Sequence, residues 1–194
     1  MTRLVEPHGG SLKVGYLAPE AAAELAAQAG EFPEWSLTHR QVCDLELLLN
    51  GGFSPLEGFM TQADYESVRD DMRLADGTLW PIPVTLDVSE AFAAKVEGAS
   101  TDNPVTVALR DAEHVLIGVI DVTDVYRPDK SLEAKQVFGA DDSAHPGVHY
   151  LHNKAGSVYL GGRVRGIEAP THYDYKHLRN SPTQLRDFFE KVGW

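Results

Sequence analysis

The chain has 194 residues, 43% of them hydrophobic and 24% charged, with 17 basic side chains against 29 acidic ones and a formal charge of −12. This length carries one good-sized core, no window approaches the roughly 18 unbroken apolar residues of a membrane span, and the N-terminal MTRLVEPHGGSLKV lacks the apolar stretch and cleavage site of an export signal. The lone cysteine, Cys43, closes no internal disulfide and fits a reducing cytoplasm, while 13 basic against 26 acidic residues over 1–170, net −13, oppose a general grip on nucleic acid.

Pro19 suits the first turn of a helix through AAAELAAQ, with Gly30 just past its end. Alanine favours helix but packs little area, so this element is expected at the periphery. The next helix starts near Thr38. Val42, Leu45, Leu48 and Leu49 recur at helical spacing, and Gly51 sits where a C-terminal cap belongs. A third is signalled by Thr61 with Asp64 three residues on, a capping-box spacing, and by Tyr65, Val68 and Met72 on one face.

Asp76-Gly77 marks a hairpin between Leu74 and Leu79-Trp80. PIPVTLDV (81–88) alternates like an edge strand, the position in which its prolines are tolerated. Ser89 is placed to cap a short helix through Phe92 and Val96, stopped by Gly98. Residues 104–110 and 115–122 are β-rich runs around the polar turn DAEH and are expected to pair as a hairpin. Ser131 is placed to cap another short helix ending at Gly139. SVYLGGRVRGIE reads as a strand in which Gly161-Gly162 allows a bulge or bend. Ala169–Asn180 is the candidate linker, and Ser181-Pro182-Thr183-Gln184 is a capping box opening a final helix through Leu185, Phe188 and Phe189. Strands in the middle with helices around them, and no regular strand–helix alternation, predict an α+β fold with a mainly antiparallel, barrel-like sheet.

Chemistry-bearing residues are sparse. His145, His149 and His152 have the spacing of one helical face, but Pro146-Gly147 interrupts a helix there and no fourth ligand is close, so a loop of exposed or hydrogen-bonded histidines is expected, not a metal site. Gly161, Gly162 and Gly166 lie inside a strand with no lysine and hydroxyl following, unlike a phosphate cradle. Arg163 and Arg165, with Lys154, form the one local basic cluster, read either as a solvated strand face or as an interface or anion contact. Cys43 follows His39 by four residues, yet its neighbour Asp44 and an adjacent apolar stripe favour a structural thiol over a nucleophile. In NGGFSPLEGFM (50–60), Phe53, Leu56 and Phe59 are costly to expose; the loop either folds onto its own core or meets a domain or subunit surface.

The stretch LTHRQVCDLELLLNGGFSPLEGFMTQADYESVRDDMRLADGTLW (37–80) resembles the amino-terminal domain of ATP sulfurylases (sulfate adenylyltransferases). PHGG (7–10), LWPIPVTLDV (79–88), HPGV (145–148), YLGGRVRGIE (159–168) and LRNSPTQLRDFFEKVGW (178–194) are similar to further segments of that family, in order along the chain. The resemblance implies a PUA-like pseudo-barrel over 1–170, with 171–194 forming the linker and helix that lead to a catalytic adenylyltransferase domain. It implies cytoplasmic sulfate assimilation for the parent enzyme, which joins sulfate to the α-phosphate of ATP with magnesium and releases pyrophosphate, and a tendency to form homo-oligomers.

The family's Gln-x-Arg-Asn motif, its associated His-x-x-His and its Gly-Arg-Asp segment are expected beyond Trp194. His149-Tyr150-Leu151-His152 does read His-x-x-His, but it lies ahead of that motif, so the role is not transferred. No catalytic, cofactor-binding or metal residue is therefore expected here. The expected role is architectural, with Phe53, Ser54, Leu56, Phe59, Arg163 and Arg165 as interface candidates and the parent's catalytic domain as partner. Two alternatives carry less weight: a free-standing regulatory or interaction domain, and an RNA-binding PUA module, which the acidity opposes.

Overall fold

The structure is a computed structural model that describes residues 4–194. Helix α1 (Pro19–Gln28) begins with proline in its first turn and buries only Ala22 and Leu25 before a short 3-10 turn over Ala29–Glu31. After strand β1 (Glu34–Ser36) comes α2 (His39–Asn50). Thr38 and Gln41 close a reciprocal capping box at its start, each side chain bonding the other's backbone N–H. Gly51 ends it in the left-handed region at φ 86°, a conformation that costs a side-chain-bearing residue energy.

Strand β2 (Gly58–Phe59) leads into α3 (Gln62–Asp71), then β3 (Leu86–Val88) and α4 (Glu90–Ala93), which Ser89 caps through the Phe92 N–H. Strands β4 (Val105–Arg110) and β5 (Leu116–Tyr126) follow, then α5 (Lys130–Phe138), α6 (Pro146–Asn153), β6 (Val158–Gly166) and α7 (Pro182–Val192). The sheet order is β1-β4-β5-β6-β2, with β3 also paired to β6. β1 runs parallel to β4, Trp35 opposite Leu109, and β3 antiparallel to β6, Asp87 opposite Tyr159. The fold is α+β with a mixed sheet of mostly antiparallel strands.

The chain divides into two compact units. One comprises the chain up to Gly58 with Thr106–Ile120 and Val164–Trp194; the other comprises Phe59–Val105 and Asp121–Arg163. In the first, Leu45, Leu48 and Leu49 of α2 are buried, as are Val107, Ala108, Leu109, Ile117, Val119 and Ile120 of β4 and β5. Each fully buried leucine contributes about 2 kcal/mol through removal of apolar surface from water. In the second, Tyr65 and Val68 of α3 are buried, as are Leu86, Val122, Val158 and Leu160. Ala134, Val148 and Leu151, with Phe138, form a satellite cluster between α5 and α6.

Several local expectations are corrected. Met72 is not on the buried face of α3: it ends the helix at φ 53° and is exposed. The Thr61–Asp64 box does not form, because Asp64 accepts from the Ala75 N–H while Asp124 of β5 accepts from the Gln62 N–H. Asp129, not Ser131, caps α5. Residues 146–153 are helical, not a loop: proline occupies the first turn of α6, where its missing N–H costs nothing, and His145 caps it. Only the end of 81–88 is a strand; the Val84 carbonyl instead accepts from the Met60 N–H, and the Val84 N–H donates to the Met60 sulfur. β6 stays continuous through Gly161 and Gly162. A Cβ at Gly161 would lie 2.6 Å from the Thr61 Cα, so that glycine serves close backbone approach, not a bend.

Candidate functional site

Three features stand out: a polar cluster inside the second unit, an acidic cleft in the first, and the apolar face of α7. The cluster is built on aromatic residues from α3, β5 and β6. The rings of Tyr65, Tyr126 and Tyr159 lie 5.4–5.7 Å apart, two pairs edge-on and one tilted. Both Tyr65 and Tyr159 hydroxyls donate to Glu133 of α5, at 2.9 and 3.0 Å, and the Tyr126 hydroxyl donates to the Met60 carbonyl at 2.9 Å. Glu133 is 7% exposed. Burial raises all three phenol pKa values well above the ordinary range, and the Glu133 charge adds to it.

Nearby, Lys130 donates to the Ala155 carbonyl at 2.8 Å and Asp87 accepts from the Gly156 N–H at 2.7 Å. Burial pushes the Lys130 ammonium pKa down, while Asp87 and Glu133 pull it back up. Perturbed titratable groups in a cleft would point to catalysis. These are closed in, and their hydroxyls hold on to their protons, so the cluster serves as a polar clamp of α5 on the sheet.

The cleft has a volume of about 210 Å³ and is lined by His39, Val42, Cys43 and Glu46 of α2, by Asp111 and Glu113 of the turn after β4, and by residues 170–173. Its carboxylates repel anions, so it offers no cradle for sulfate or a nucleotide phosphate. Cys43, beside the apolar stripe of α2, is itself exposed here. Burial of the thiol, then Asp44 and Glu46, raise its pKa, the opposite of what activates a nucleophile. His172 meets both carboxylate oxygens of Glu46, at 2.8 and 3.0 Å. Tyr16 is pushed up to about 12 by burial and by Glu46.

The interface candidates are scattered by the fold. Leu56 and Phe59 are buried in the chain's own core, and Phe53 is half-buried. Ser54 is buried too, donating to the Gly51 carbonyl and accepting from the Lys13 N–H. Arg163 is exposed and Arg165 half-buried, two residues apart on β6.

The histidines of α6 make local bonds. His152 pairs with Asp141 at 2.7 Å and holds that carboxyl below its usual range, and His149 receives the Asn153 amide. Among the described residues, no three His, Cys, Asp or Glu side chains gather to hold a metal ion, and no helix is long and apolar enough to cross a membrane.

Sequence reasoning named the apolar residues of α7 but not their exposure. Ser181 and Gln184 close its capping box. None of its residues is buried; Leu185, Phe188 and Val192 are exposed at i, i+3 and i+7, with Trp194 stacked on Phe189 at 5.5 Å. This apolar periodicity is left uncovered by the other described residues.

Residues 5–169 match the PUA-like domain family. The chain is 50% identical over 192 residues to a sulfate adenylyltransferase of Kluyveromyces lactis, covering 97% of this chain and 37% of that protein. It is 49% identical over 191 residues to a sulfate adenylyltransferase of Mycosarcoma maydis, covering 97% of this chain and 33% of the relative. Among solved structures it is similar to a hexameric APS kinase from Thiobacillus denitrificans, with a TM-score of 0.72 and 31% identity over 98% of this chain and 32% of that one. The chain therefore spans about a third of the length of these relatives.

Proposed function

The chain belongs to the PUA-like domain family, and from that premise we propose that it is the amino-terminal structural and interface domain of a sulfate adenylyltransferase. The observation that carries this reading is near-full-length similarity, at 45–50% identity, to sulfate adenylyltransferases three times as long. In the whole enzyme the reaction joins sulfate to ATP to give adenosine 5′-phosphosulfate and pyrophosphate, in the cytoplasm, with magnesium accompanying the nucleotide. That transfer needs cations and backbone donors aimed at the phosphates. The carboxylates around the cleft oppose a triphosphate, which supports assigning no chemical step to these residues.

The division of labour we propose places the globular domain at 1–170 and a connecting helix at 171–194. The apolar face of α7 supports contact with the catalytic part of the enzyme, and Phe53, Arg163 and Arg165 supply further contact surface. The hexameric state named for the structural neighbour supports assembly of the whole enzyme as a homo-oligomer.

The test has two arms. Alone, the 194-residue chain is expected to release no sulfate-dependent pyrophosphate from ATP. Grafted in place of the matched third of the Kluyveromyces lactis enzyme, it is expected to support that release. Turnover by the isolated chain, or a folded but inactive graft, would overturn the proposal.

A further inference from the structure

We propose that residues 172–180 are a braced elbow, not a flexible tether, and that this elbow sets the direction in which α7 presents its apolar face. Sequence alone marks the stretch as a linker: it contains one 3-10 turn, Lys176–Leu178, and residues 173–180 are exposed. Both of its ends are nevertheless fastened within the same compact unit. At the start, Pro170 is buried and His172 Nε2 lies 2.8 and 3.0 Å from the two carboxylate oxygens of Glu46 on α2. Facing a carboxylate, Nε2 carries its hydrogen in either charge state of the ring, so this pin does not depend on the proton count. At the far end, Arg186 of α7 donates to the Val5 carbonyl at 2.6 Å.

Between these anchors the backbone closes on itself. The Arg179 guanidinium bonds twice to Asp174, Nη2 to the carboxylate at 2.9 Å and Nε to the backbone carbonyl at 3.3 Å. That bonding holds the Asp174 carboxyl below its usual range. An exposed ion pair is weak alone; here it closes a short ring, where little chain entropy opposes it. Inside the ring the Leu178 N–H donates to the Tyr175 carbonyl and the Arg179 N–H to the Lys176 carbonyl. The Asn180 amide then returns to the Leu178 carbonyl at 3.3 Å. Tyr175 itself adopts φ 46° and ψ 34°, in the left-handed region that a side-chain-bearing residue enters at a cost. Such a conformation persists where its neighbours over-determine it. With the Tyr175 ring exposed, the bonds around its backbone supply that constraint. On the reading proposed above, the catalytic part meets a helix face already aimed, which lowers the ordering cost of the contact.

Spin-label distances across the elbow test this in the full chain. Cys43→Ser removes the chain's one cysteine, and Glu24→Cys on α1 with Lys191→Cys on α7 places labels at exposed positions of the same unit. Dipolar electron resonance on this labelled parent is expected to give one narrow distance distribution. Arg179→Gln is expected to widen it at least twofold, towards the roughly 15 Å spread of a flexible chain of that length. Tyr175→Val is expected to do the same, because a β-branched residue fits the left-handed region worst. Tyr175→Gly loses the same ring but tolerates the backbone angle, and is expected to keep the narrow distribution, as is Lys176→Gln. A broad distribution in the parent, equal widths in Tyr175→Val and Tyr175→Gly, or no widening in Arg179→Gln would each overturn the elbow. The distances are read in the chain alone, so they stand whether or not the graft is active.

Discussion

Glu133 shows how one side chain can organise a core. Its carboxylate lies among three tyrosine rings and accepts hydrogen bonds from two of their hydroxyls at 2.9 and 3.0 Å. Removing the acceptor strands both hydroxyls in a place water does not reach, and the unmet desolvation exceeds the net worth of the bonds. Glu133→Ala is expected to lower unfolding free energy by roughly 3–5 kcal/mol, read as a reduced urea midpoint. Glu133→Gln, which keeps an acceptor oxygen, is expected to lose less. Equal losses in the two variants would assign the effect to the charge of the carboxylate and not to packing volume or to one remaining acceptor oxygen.

Helix ends separate what the sequence specifies locally from what it leaves to distant residues. Thr38 and Thr61 each have a potential partner three residues on. Only Thr38 forms its box; at Thr61 the N–H of Gln62 is taken by Asp124, 62 residues away. Thr38→Ala and Asp124→Ala are therefore expected to cost about 1 kcal/mol each, and Thr61→Ala much less, in chemical denaturation. The same division explains the rest of the comparison with the sequence. Long periodic helices such as α2, the Asp76-Gly77 hairpin and the pairing of residues 104–110 with 115–122 were legible because their signals are local. Strand β1 was not: its three residues, EWS, are too few to establish a period, and only the parallel pairing with Ala108–Arg110 makes them a strand. Helix α6 was masked by Pro146-Gly147, a breaker inside a helix but a starter in its first turn. Exposure was half legible, because periodicity marks an apolar face without saying whether the chain itself covers it: Phe59 is covered and Phe188 is not.

At the scale of the whole molecule, phenols dominate the response to alkali. Tyr16 is raised from 10 to about 12, and Tyr65, Tyr126 and Tyr159 lie higher still, all first through burial. A folded-state pKa above the unfolded one gives stability that is complete below the unfolded value and lost as pH climbs towards the folded one. Stability is thus expected to start falling near pH 10 and to drop steeply up to pH 12, at up to about 1.4 kcal/mol per pH unit for each phenol. Tyr16→Phe is expected to flatten the decline by one proton's share in urea titrations across this range. A slope unchanged in that variant would exclude Tyr16 as a contributor.

Strand β6 supplies residues to both compact units, Val158–Arg163 to one and Val164–Gly166 to the other, and β5 is shared in the same way. Neither unit is a continuous piece of chain, so no single scission yields an intact half. On the ribosome, the second interior cannot be completed until translation has reached Arg163, and the first must wait for the residues that follow.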